Sequence, residues 1–492
     1  MAGALAARPG PIGLAIAAAV GLLIRRHRNL PKNVVYVHGY VPVVGVLMDI
    51  VRALKANTHI DMLHEWFGKL GKTFAFVVPG RSFVATIDPE VIEHVLKTNF
   101  ENYIKGPLFQ DPFTELLGDG IFNVDGELWR QQRKTSSRLF SKKLFETHIW
   151  NTVQANTSKV MGILDAEQGS TLDMFGLLNR FTLDTIGQVG FSKSVGSLED
   201  PSSPFLRSFD RAQQVLILRF WTNPLWKVFR LLNIGVEREL REHLRLLDDY
   251  SRTIVRDLLA KSTEGEDGSL VGLFVREMSA AEKADPQMET YLRDLVMNFL
   301  IAGRDTTAQC LAWTIFELSQ HPEVVGRACE EIKAVLSKGP LTYASLKELK
   351  YLSAVVDEGL RLHPSVPYDG KGCVRDDVLP GGIRIRAGTA VMFCPYAQGR
   401  CKELWGQDAE AFRPERWLEM KSRPSDFAYS AFNAGPRICL GKSLAYLEMT
   451  AFLARLLDSF DLELQVKPEE IQYDTQLTLG MKGLPIKAIS VR

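Results

Sequence analysis

The strongest chemical signal is a cysteine with glycines before and after it, at the point where a loop leads into an apolar helical stretch. The run reads Phe432-Asn433-Ala434-Gly435-Pro436-Arg437-Ile438-Cys439-Leu440-Gly441, and residues 442–457 follow. Backbone N–H groups and the positive end of a helix lower a thiol's pKa, so Cys439 is predicted to bind a metal as the thiolate. Gly435 and Gly441 lack Cβ atoms and can lie close to a flat ligand or adopt turn conformations. Arg437 can pair with a carboxylate.

A second signal lies within residues 291–320, a long apolar stretch that predicts a central buried helix. The interruption is Ala302-Gly303-Arg304-Asp305-Thr306-Thr307. Gly303 weakens the helix, and Thr306 can bond back to a carbonyl one turn earlier, a combination that bends helices and opens a groove. An acid beside a hydroxyl is costly to bury without partners or a purpose. Asp305 and Thr306 are therefore singled out as a pair that needs partners or a purpose, and the competing interpretation is a threonine cap beside a surface aspartate.

Two further patterns combine charge with apolar neighbours. Trp129 and Arg133 are four residues apart at the start of a helical stretch, so both can reach one carboxylate from the same face. In isolation, a core tryptophan beside a solvated arginine explains this pair better. Glu358 and Arg361 lie among valines and leucines, and a buried charged pair needs a third partner. Arg416, in the run Pro-Glu-Arg-Trp, can supply it.

These patterns, in this order, resemble those of the cytochrome P-450 monooxygenases. They are Trp-x-x-x-Arg, Ala-Gly-x-Asp-Thr-Thr, Glu-x-x-Arg, Pro-Glu-Arg-Trp and Phe-x-x-Gly-x-Arg-x-Cys-x-Gly. The resemblance implies a mainly α fold, with a large helical region and small β-sheets around a buried haem b. It also implies that the sulfur of Cys439 binds the iron. For Cys439 alone, the competing interpretation is a buried structural cysteine.

The resemblance implies roles for the other residues. Thr306 and Asp305 are expected to deliver protons for oxygen activation, and the cluster of Glu358, Arg361 and Arg416 to serve structure and haem loading. Residues from the cysteine loop, the central helix and the Trp129 stretch are expected to hold the haem, with one lysine reaching a propionate: Cys439, Phe432, Gly435, Arg437, Gly441, Ala302, Trp129, Arg133 and Lys371.

Several elements must position these residues. Residues 73–87 predict two short strands about the turn at Pro79-Gly80, and a helix is expected to begin after Asp88-Pro89. Residues 171–191 and about 205–260 are predicted to be helical, and residues 383–393 predict a hairpin about Ala387-Gly388. Residues 103–122 form an aromatic, irregular stretch that roofs the substrate pocket in the resembled fold. The expected pocket wall comprises Phe109, Phe113, Leu116, Leu117, Ile121, Phe122, Val366, Tyr368, and Leu477 or Leu479.

Residues 1–30 predict an N-terminal membrane anchor and basic stop, and residues 31–492 a single catalytic domain. The apolar residues 11–24 are followed by Arg25-Arg26-His27-Arg28. A cleaved signal peptide carries its positive charge before the apolar region, whereas charge after it keeps the chain on the cytoplasmic side. The expected location is the endoplasmic reticulum membrane.

Composition excludes several other classes of protein. The net charge of +1 argues against nucleic-acid binding, which usually requires a basic excess. Six cysteines in 492 residues, with no Cys-x-x-Cys pair, indicate neither a disulfide framework nor a zinc site. A reducing, cytosol-facing compartment and a monomer are expected.

The expected activity is insertion of one atom of O2 into a C–H bond of a lipophilic substrate. Residues 117–122, 376–380 and 432–437 look most like plant, algal and fungal ω-hydroxylases of fatty acids and alkanes. The alternatives are a P-450 that hydroxylates sterols, terpenoids or other lipids, and a haem-binding sensor or carrier without turnover. The candidates for binding a fatty carboxylate are Lys105, Arg211 and Arg219.

Electrons are expected from a partner protein, because the sequence contains no flavin or nicotinamide motif. The resemblance implies NADPH–cytochrome P-450 reductase, which carries the flavins and uses NADPH, with cytochrome b5 as a second donor. A basic face that could attract such a partner would comprise Arg130, Arg133, Lys134, Arg138, Lys142, Lys143 and Lys442. A merely solvated helix face explains these charges almost as well.

Overall fold

The computed structural model describes residues 30–37, 45–140, 144–222, 225–262, 269–283 and 285–491. Apart from its last residue, the predicted anchor at residues 1–30 lies outside these ranges, as do Lys142 and Lys143. Within the described ranges, no helix combines the length and the apolar character needed to cross a bilayer.

The described part of the chain is mainly α-helical, as the sequence predicts. The helices are α1 Leu47–Ala56, α2 His59–Leu70, α3 Pro89–Glu93, α4 Gly106–Leu117, α5 Gly126–Ser137, α6 Trp150–Ala166, α7 Met174–Phe191, α8 Pro204–Thr222, α9 Leu225–Leu232, α10 Val236–Ser262, α11 Leu270–Glu277, α12 Ala280–Lys283, α13 Met288–Leu318, α14 Pro322–Leu336, α15 Lys350–Leu362, α16 Pro395–Gly399, α17 Lys402–Trp405, α18 Arg416–Glu419 and α19 Lys442–Ser459.

The strands are short and form small sheets. They are β1 Val35–Tyr36, β2 Thr73–Val78, β3 Arg81–Thr86, β4 Tyr103–Ile104, β5 Thr171–Asp173, β6 Asp369–Cys373, β7 Asp377–Leu379, β8 Ile383–Ile385, β9 Ala390–Phe393, β10 Phe460–Leu464, β11 Tyr473–Thr475, β12 Leu479–Met481 and β13 Pro485–Ser490. The largest sheet has six strands in the order β1-β2-β3-β9-β6-β4. A three-stranded sheet has the order β10-β13-β5, and β11 pairs with β12 and β7 with β8.

The hairpin and helix start predicted within residues 73–89 are confirmed. Strands β2 and β3 pair antiparallel, with Val78 opposite Arg81 across the turn. Asp88 caps α3, because its carboxylate accepts the N–H of Glu90 at 3.0 Å, and Pro89 occupies the first turn. Both features are local, so the sequence was sufficient to predict them.

The hairpin predicted for residues 383–393 is wrong. Strand β8 pairs with β7, whereas β9 pairs with β3 and β6 in the six-stranded sheet. The turn at Gly388, whose φ is +86°, carries the chain from one sheet to the other, and its N–H donates to the carbonyl of Cys373 at 2.7 Å. The alternation of residue types was correct for strands, but it did not specify the pairing partner.

The stretch expected to be irregular contains helix α4. Glycine and two prolines in this stretch indicate a loop by composition, but Pro107 lies in the first turn, where a missing N–H costs nothing. Pro112 lies within the helix. The helices predicted at about 205–260 are observed as α8, α9 and α10.

Helix α13 is the central element, and most of its residues are buried on every face. Helix α7 packs closely against it at Gly303, where an added Cβ would lie 2.5 Å from the side chain of Ile186. Thr182 of α7 donates its hydroxyl hydrogen to the carbonyl of Arg304 at 2.9 Å. Gly303 therefore permits close helix packing, and α13 continues unbroken from Met288 to Leu318.

Candidate active site

A cavity of about 410 Å³ lies between α13, the cysteine loop at residues 432–441 and the six-stranded sheet. It brings together most of the residues singled out from the sequence. Those that line it are Cys439, Phe432, Arg437, Gly441, Ala302, Thr306, Trp129, Arg133 and Lys371. Gly435 and Asp305 do not line it.

Cys439 is exposed, and its thiol forms part of the cavity wall. Its own N–H donates to the carbonyl of Phe432 at 2.8 Å, which closes the cysteine loop.

Gly435 is a glycine for a reason that does not involve the cavity. Its φ is +62°, and an added Cβ would lie 2.2 Å from the carbonyl oxygen of Leu96. Gly435 therefore lets the loop pack against the protein, on the side away from the cavity.

The expectation of a lowered thiol pKa is corrected by the structure. The thiol faces a cavity deep within the fold, and this desolvation raises the pKa of Cys439, although the N–H of Gly441 and the charges of Arg133 and Lys442 act in the opposite direction. In the protein alone the desolvation effect is larger. A bound metal cation would add the positive charge needed to keep the sulfur ionised.

One end of the cavity carries an excess of positive charge. Lys105, Arg133, Lys371 and Arg437 line this end, while the carboxylates available are Asp369 in the wall and Asp125 behind Arg437. Asp369 is shared by two lysines, with its oxygens 2.7 Å from Lys105 Nζ and 3.6 Å from Lys371 Nζ. The cations therefore outnumber the acids, and a ligand with carboxylates of its own would restore the balance.

Lys371 is a buried cation of the cavity wall whose donor is available to a ligand. Its side chain is 1% exposed, and among the described residues nothing accepts a hydrogen bond from its Nζ. Burial lowers its pKa well below the ordinary lysine value. The Trp129 ring centroid lies 4.4 Å from the guanidinium carbon of Arg437 and 5.9 Å from that of Arg133. These residues present donors to the cavity, as expected for holding a propionate.

Thr306 makes the predicted bond along its own helix, since its hydroxyl donates to the carbonyl of Ala302 at 2.6 Å. The carbonyl of Thr306 accepts the hydroxyl hydrogen of Ser365 at 2.7 Å. The Thr306 hydroxyl uses its hydrogen on the Ala302 carbonyl, so its oxygen can accept a further hydrogen bond from a ligand or water in the cavity.

Asp305 faces the opposite side of α13, towards α8. Its carboxylate accepts hydrogen bonds from Gln213 Nε2 and Arg304 Nη1, each at 2.7 Å, and Arg304 also pairs with Asp210 at 2.6 Å. Burial raises the pKa of Asp305 to about 6 despite the nearby guanidinium. Because Asp210 is partly exposed, this network extends from the protein surface to the residue next to Thr306.

The comparisons with known proteins agree with this geometry. The family model Cytochrome P450 matches residues 38–489. The chain belongs to the cytochrome P450 family. Cytochrome P450 704C1 of Pinus taeda is 36% identical, over 95% of this chain and 94% of its own length. Cytochrome P450 704B1 of Arabidopsis thaliana is 35% identical over 89% of this chain and 92% of its own length. Cytochrome P450 94A2 of Vicia sativa is 34% identical over 89% of this chain and 85% of its own length.

As a member of this family, the chain is a haem-dependent monooxygenase. Dependence on a partner reductase for electrons is a general property of the family. The cavity residues fit a haem, because Cys439 offers a thiolate and Lys371 and Arg133 offer donors that lack carboxylate hydrogen-bond partners among the described residues. When bound, the haem supplies the oxidant that inserts oxygen into a C–H bond. The protein holds it and orients the substrate.

The cluster predicted around Glu358 is observed. Arg361 donates from Nε and Nη2 to the two carboxylate oxygens, and Arg416 Nε donates to one of them, all at 2.8 Å. All three side chains are almost fully buried. The cluster does not line the cavity, which agrees with a structural role.

Most residues expected in the substrate wall line the cavity: Phe109, Phe113, Leu117, Ile121, Phe122, Val366, Tyr368 and Leu477. Leu116 and Leu479 are instead packed in the core. Of the candidates for binding a fatty carboxylate, Lys105 lines the cavity but is paired with Asp369. Arg211 and Arg219 are paired with Glu239 and Glu237 respectively, and neither lines the cavity.

Sequence reasoning missed Glu448 in α19. It lines the cavity, is 3% exposed, and its Oε1 has no hydrogen-bond partner among the described residues. Burial raises the pKa of Glu448 well above the ordinary value. The signal that could have identified it is the one that identified Asp305, an acid inside an otherwise apolar helix.

The proposed basic face is only partly present. Arg133 lines the cavity, Arg130 pairs with Glu101 and Glu127, and Arg138 pairs with Glu277. Lys442 lies 5.4 Å from the Phe432 ring centroid and 3.6 Å from Asp426. The remaining free charge among the described residues is therefore smaller than the sequence suggested.

Proposed function

We propose that this monooxygenase hydroxylates the terminal carbon of fatty acids or related aliphatic lipids. The observation that supports this most directly is the apolar wall of the cavity. Apart from the cations, much of the lining consists of rings and aliphatic side chains, among them Phe83, Phe109, Phe113, Ile217, Phe220 and Phe299. Apolar walls favour apolar ligands, and an unbranched chain has no polar group along its length to leave unpaired. The likeness of residues 117–122, 376–380 and 432–437 to ω-hydroxylases points the same way.

A fatty acid also needs a place for its carboxylate. Arg81, at the start of β3, is half-buried and has no carboxylate within ion-pair distance among the described residues. Its Nη1 donates to the carbonyl of Phe220 at 3.3 Å, and its guanidinium carbon lies 5.9 Å from that ring centroid. Phe220 is part of the cavity wall, so Arg81 lies directly behind a lining residue and is a candidate for this role.

Membrane association at the cytoplasmic face of the endoplasmic reticulum belongs to the same proposal. Helix α9 exposes a run of large apolar side chains, among them Leu231, which is 84% exposed. Val228, Phe229 and Leu232 are exposed beside it. An exposed apolar helix face favours contact with a bilayer, from which lipophilic substrates are taken. Electrons are proposed to come from NADPH–cytochrome P-450 reductase, with cytochrome b5 as a second donor.

The test is product analysis with the full chain, reconstituted with NADPH–cytochrome P-450 reductase and supplied with a panel of fatty acids, alkanes, sterols and terpenoids. Terminal hydroxylation of fatty acids is expected. Oxidation of sterols or terpenoids alone would replace the proposed substrate class. Haem binding without turnover of any member of the panel would favour a sensor or carrier.

A further inference from the structure

The loop after α4 is tied to the central helix by a set of hydrogen bonds that the cavity does not explain. We name residues 117–123, Leu117-Gly118-Asp119-Gly120-Ile121-Phe122-Asn123, the glycine loop. The amide of Asn298 in α13 donates to the carbonyl of Leu117 at 2.8 Å and accepts the N–H of Phe122 at 3.0 Å. The carboxylate of Asp294, one turn earlier, accepts the N–H of Asp119 at 2.9 Å. Two buried side chains of one helix therefore hold three backbone groups of the loop.

Neighbouring residues complete the attachment. Gln132 of α5 donates to the carbonyl of Asp119 at 2.7 Å, and Asn123 donates to the carbonyl of Gly118 at 3.0 Å. Arg293 donates to the carbonyl of Leu116 at 3.1 Å and to Asp294 at 2.9 Å. Surface loops usually have backbone groups that bond to water and are mobile. This loop instead has its polar groups paired with buried side chains.

The two glycines allow this attachment. An added Cβ at Gly118, whose φ is +50°, would lie 2.0 Å from the carboxylate of Asp294. An added Cβ at Gly120 would lie 1.9 Å from the amide nitrogen of Asn298. Gly118 thus lies against Asp294 and Gly120 against Asn298, one turn apart on α13. A side chain at either glycine would push the loop away from α13.

The loop presents apolar side chains to the cavity. Leu117, Ile121 and Phe122 all line it, as does Asn298 itself. Neighbouring carbons of an alkyl chain differ little in reactivity, and internal C–H bonds are weaker than those of the terminal methyl. Oxidation at the terminus therefore requires walls that hold the chain in one position.

We propose that Asn298 and Asp294 are positioning residues that fix the glycine loop as a rigid wall, and that this wall decides which carbon of an aliphatic substrate is oxidised. The proposal rests on the proposed function for its substrate class. It does not require either residue to touch the reacting carbon.

The test compares Asn298→Ala and Gly120→Ala with the wild-type full chain. The first removes the amide, and the second keeps the amide but adds a methyl group that must displace the loop. Hydrogen exchange measured on the holoenzyme should show that the Phe122 amide loses protection in both variants. The ratio of terminal to internal hydroxylation should fall by roughly tenfold, because small displacements of a bound chain change which carbon reacts.

Asn179→Ala is the matched control. Asn179 is buried in α7, and its amide donates to the carbonyl of Phe175 in its own helix at 3.0 Å. Its removal should leave the Phe122 amide protected and the product ratio unchanged. In the double variant Gly120→Ala/Asn298→Ala the added methyl group has space, so the effects should be less than additive.

Two results would overturn the proposal. One is a Phe122 amide that stays protected in Asn298→Ala, which would show that the amide does not hold the loop. The other is an unchanged product ratio once that protection is lost. If the wild-type enzyme oxidises no aliphatic lipid, the proposed function and its selectivity claim fail together, while the exchange measurement still decides whether Asn298 holds the loop.

Discussion

Two parts of the cavity lining differ in how many of their side chains have partners within the protein. The cation wall, defined as Lys105, Arg133, Lys371 and Arg437, has more positive groups than carboxylates to pair with them. The aromatic wall, defined as Phe109, Phe113 and Phe220, packs ring on ring and needs no partner. Substitutions in the cation wall should therefore act mainly on haem binding, whereas substitutions in the aromatic wall should lower the free energy of unfolding of the protein.

Cys439→Ser should have the largest effect on activity. Without the thiolate, the reduced protein with carbon monoxide should lose its thiolate-type spectrum, and turnover should be abolished. The haem-free protein should change in stability by less than about 1 kcal/mol, since the side chain is exposed to the cavity.

Cys329→Ser is the control for that experiment, because Cys329 lies in α14 and outside the cavity wall. It should keep the spectrum of the wild-type protein. A thiolate-type spectrum retained in Cys439→Ser would remove the assignment of the iron ligand.

Phe220→Ala should have the largest effect on the protein itself. Phe220 is 6% exposed and stacks on Phe109 and Phe113, with ring centroids 5.4 and 6.2 Å away. Its truncation should lower the free energy of unfolding by about 3–5 kcal/mol, measured by denaturant titration of the haem-free protein. Phe229→Ala on the exposed face of α9 should change it by only about 0.5 kcal/mol. Equal losses of stability at Phe220 and Phe229 would contradict the structural role of the aromatic wall.

Thr306→Ala should keep haem but uncouple electron use from product formation. Its hydroxyl lies in the cavity wall, where it can order the groups that deliver protons. Product formed per NADPH should fall about tenfold and hydrogen peroxide should rise. Thr314→Ala, in the same helix but outside the cavity wall, should keep normal coupling. Unchanged coupling in Thr306→Ala would contradict the assigned role.

Lys371→Met should change the stability of the protein only slightly, and the direction of the change should depend on whether haem is bound. Burial disfavours the charged form of Lys371, and nothing among the described residues accepts a hydrogen bond from Nζ. Its removal should therefore stabilise the haem-free protein by about 1 kcal/mol, even though the pairing with Asp369 at 3.6 Å is lost. The same change should weaken haem retention, because a propionate would lose its donor. Denaturant titration with and without haem measures both. A loss of stability in the haem-free protein would show that Lys371 is already satisfied there.

The cysteine loop, the Thr306 bond and the Glu358 cluster were predictable because each depends on short spacing or on charges that need one another. The helix at residues 106–117 was missed because the aromatic stretch at residues 103–122 was interpreted as irregular. The thiol pKa was predicted in the wrong direction, because burial depends on the whole fold and outweighs the local N–H groups. Glu448 was missed although its sequence context contained the same signal as Asp305.

The sequence by itself determined the family, the iron ligand expected for it and the apolar character of the central helix. These follow from residue types and from spacings along one segment. Only the tertiary structure decided that Gly435 packs on Leu96, that β8 and β9 belong to different sheets, and that Asp294 and Asn298 hold the glycine loop. Each of these joins residues far apart in the chain, and no local pattern specifies which distant backbone will come within hydrogen-bond or van der Waals distance.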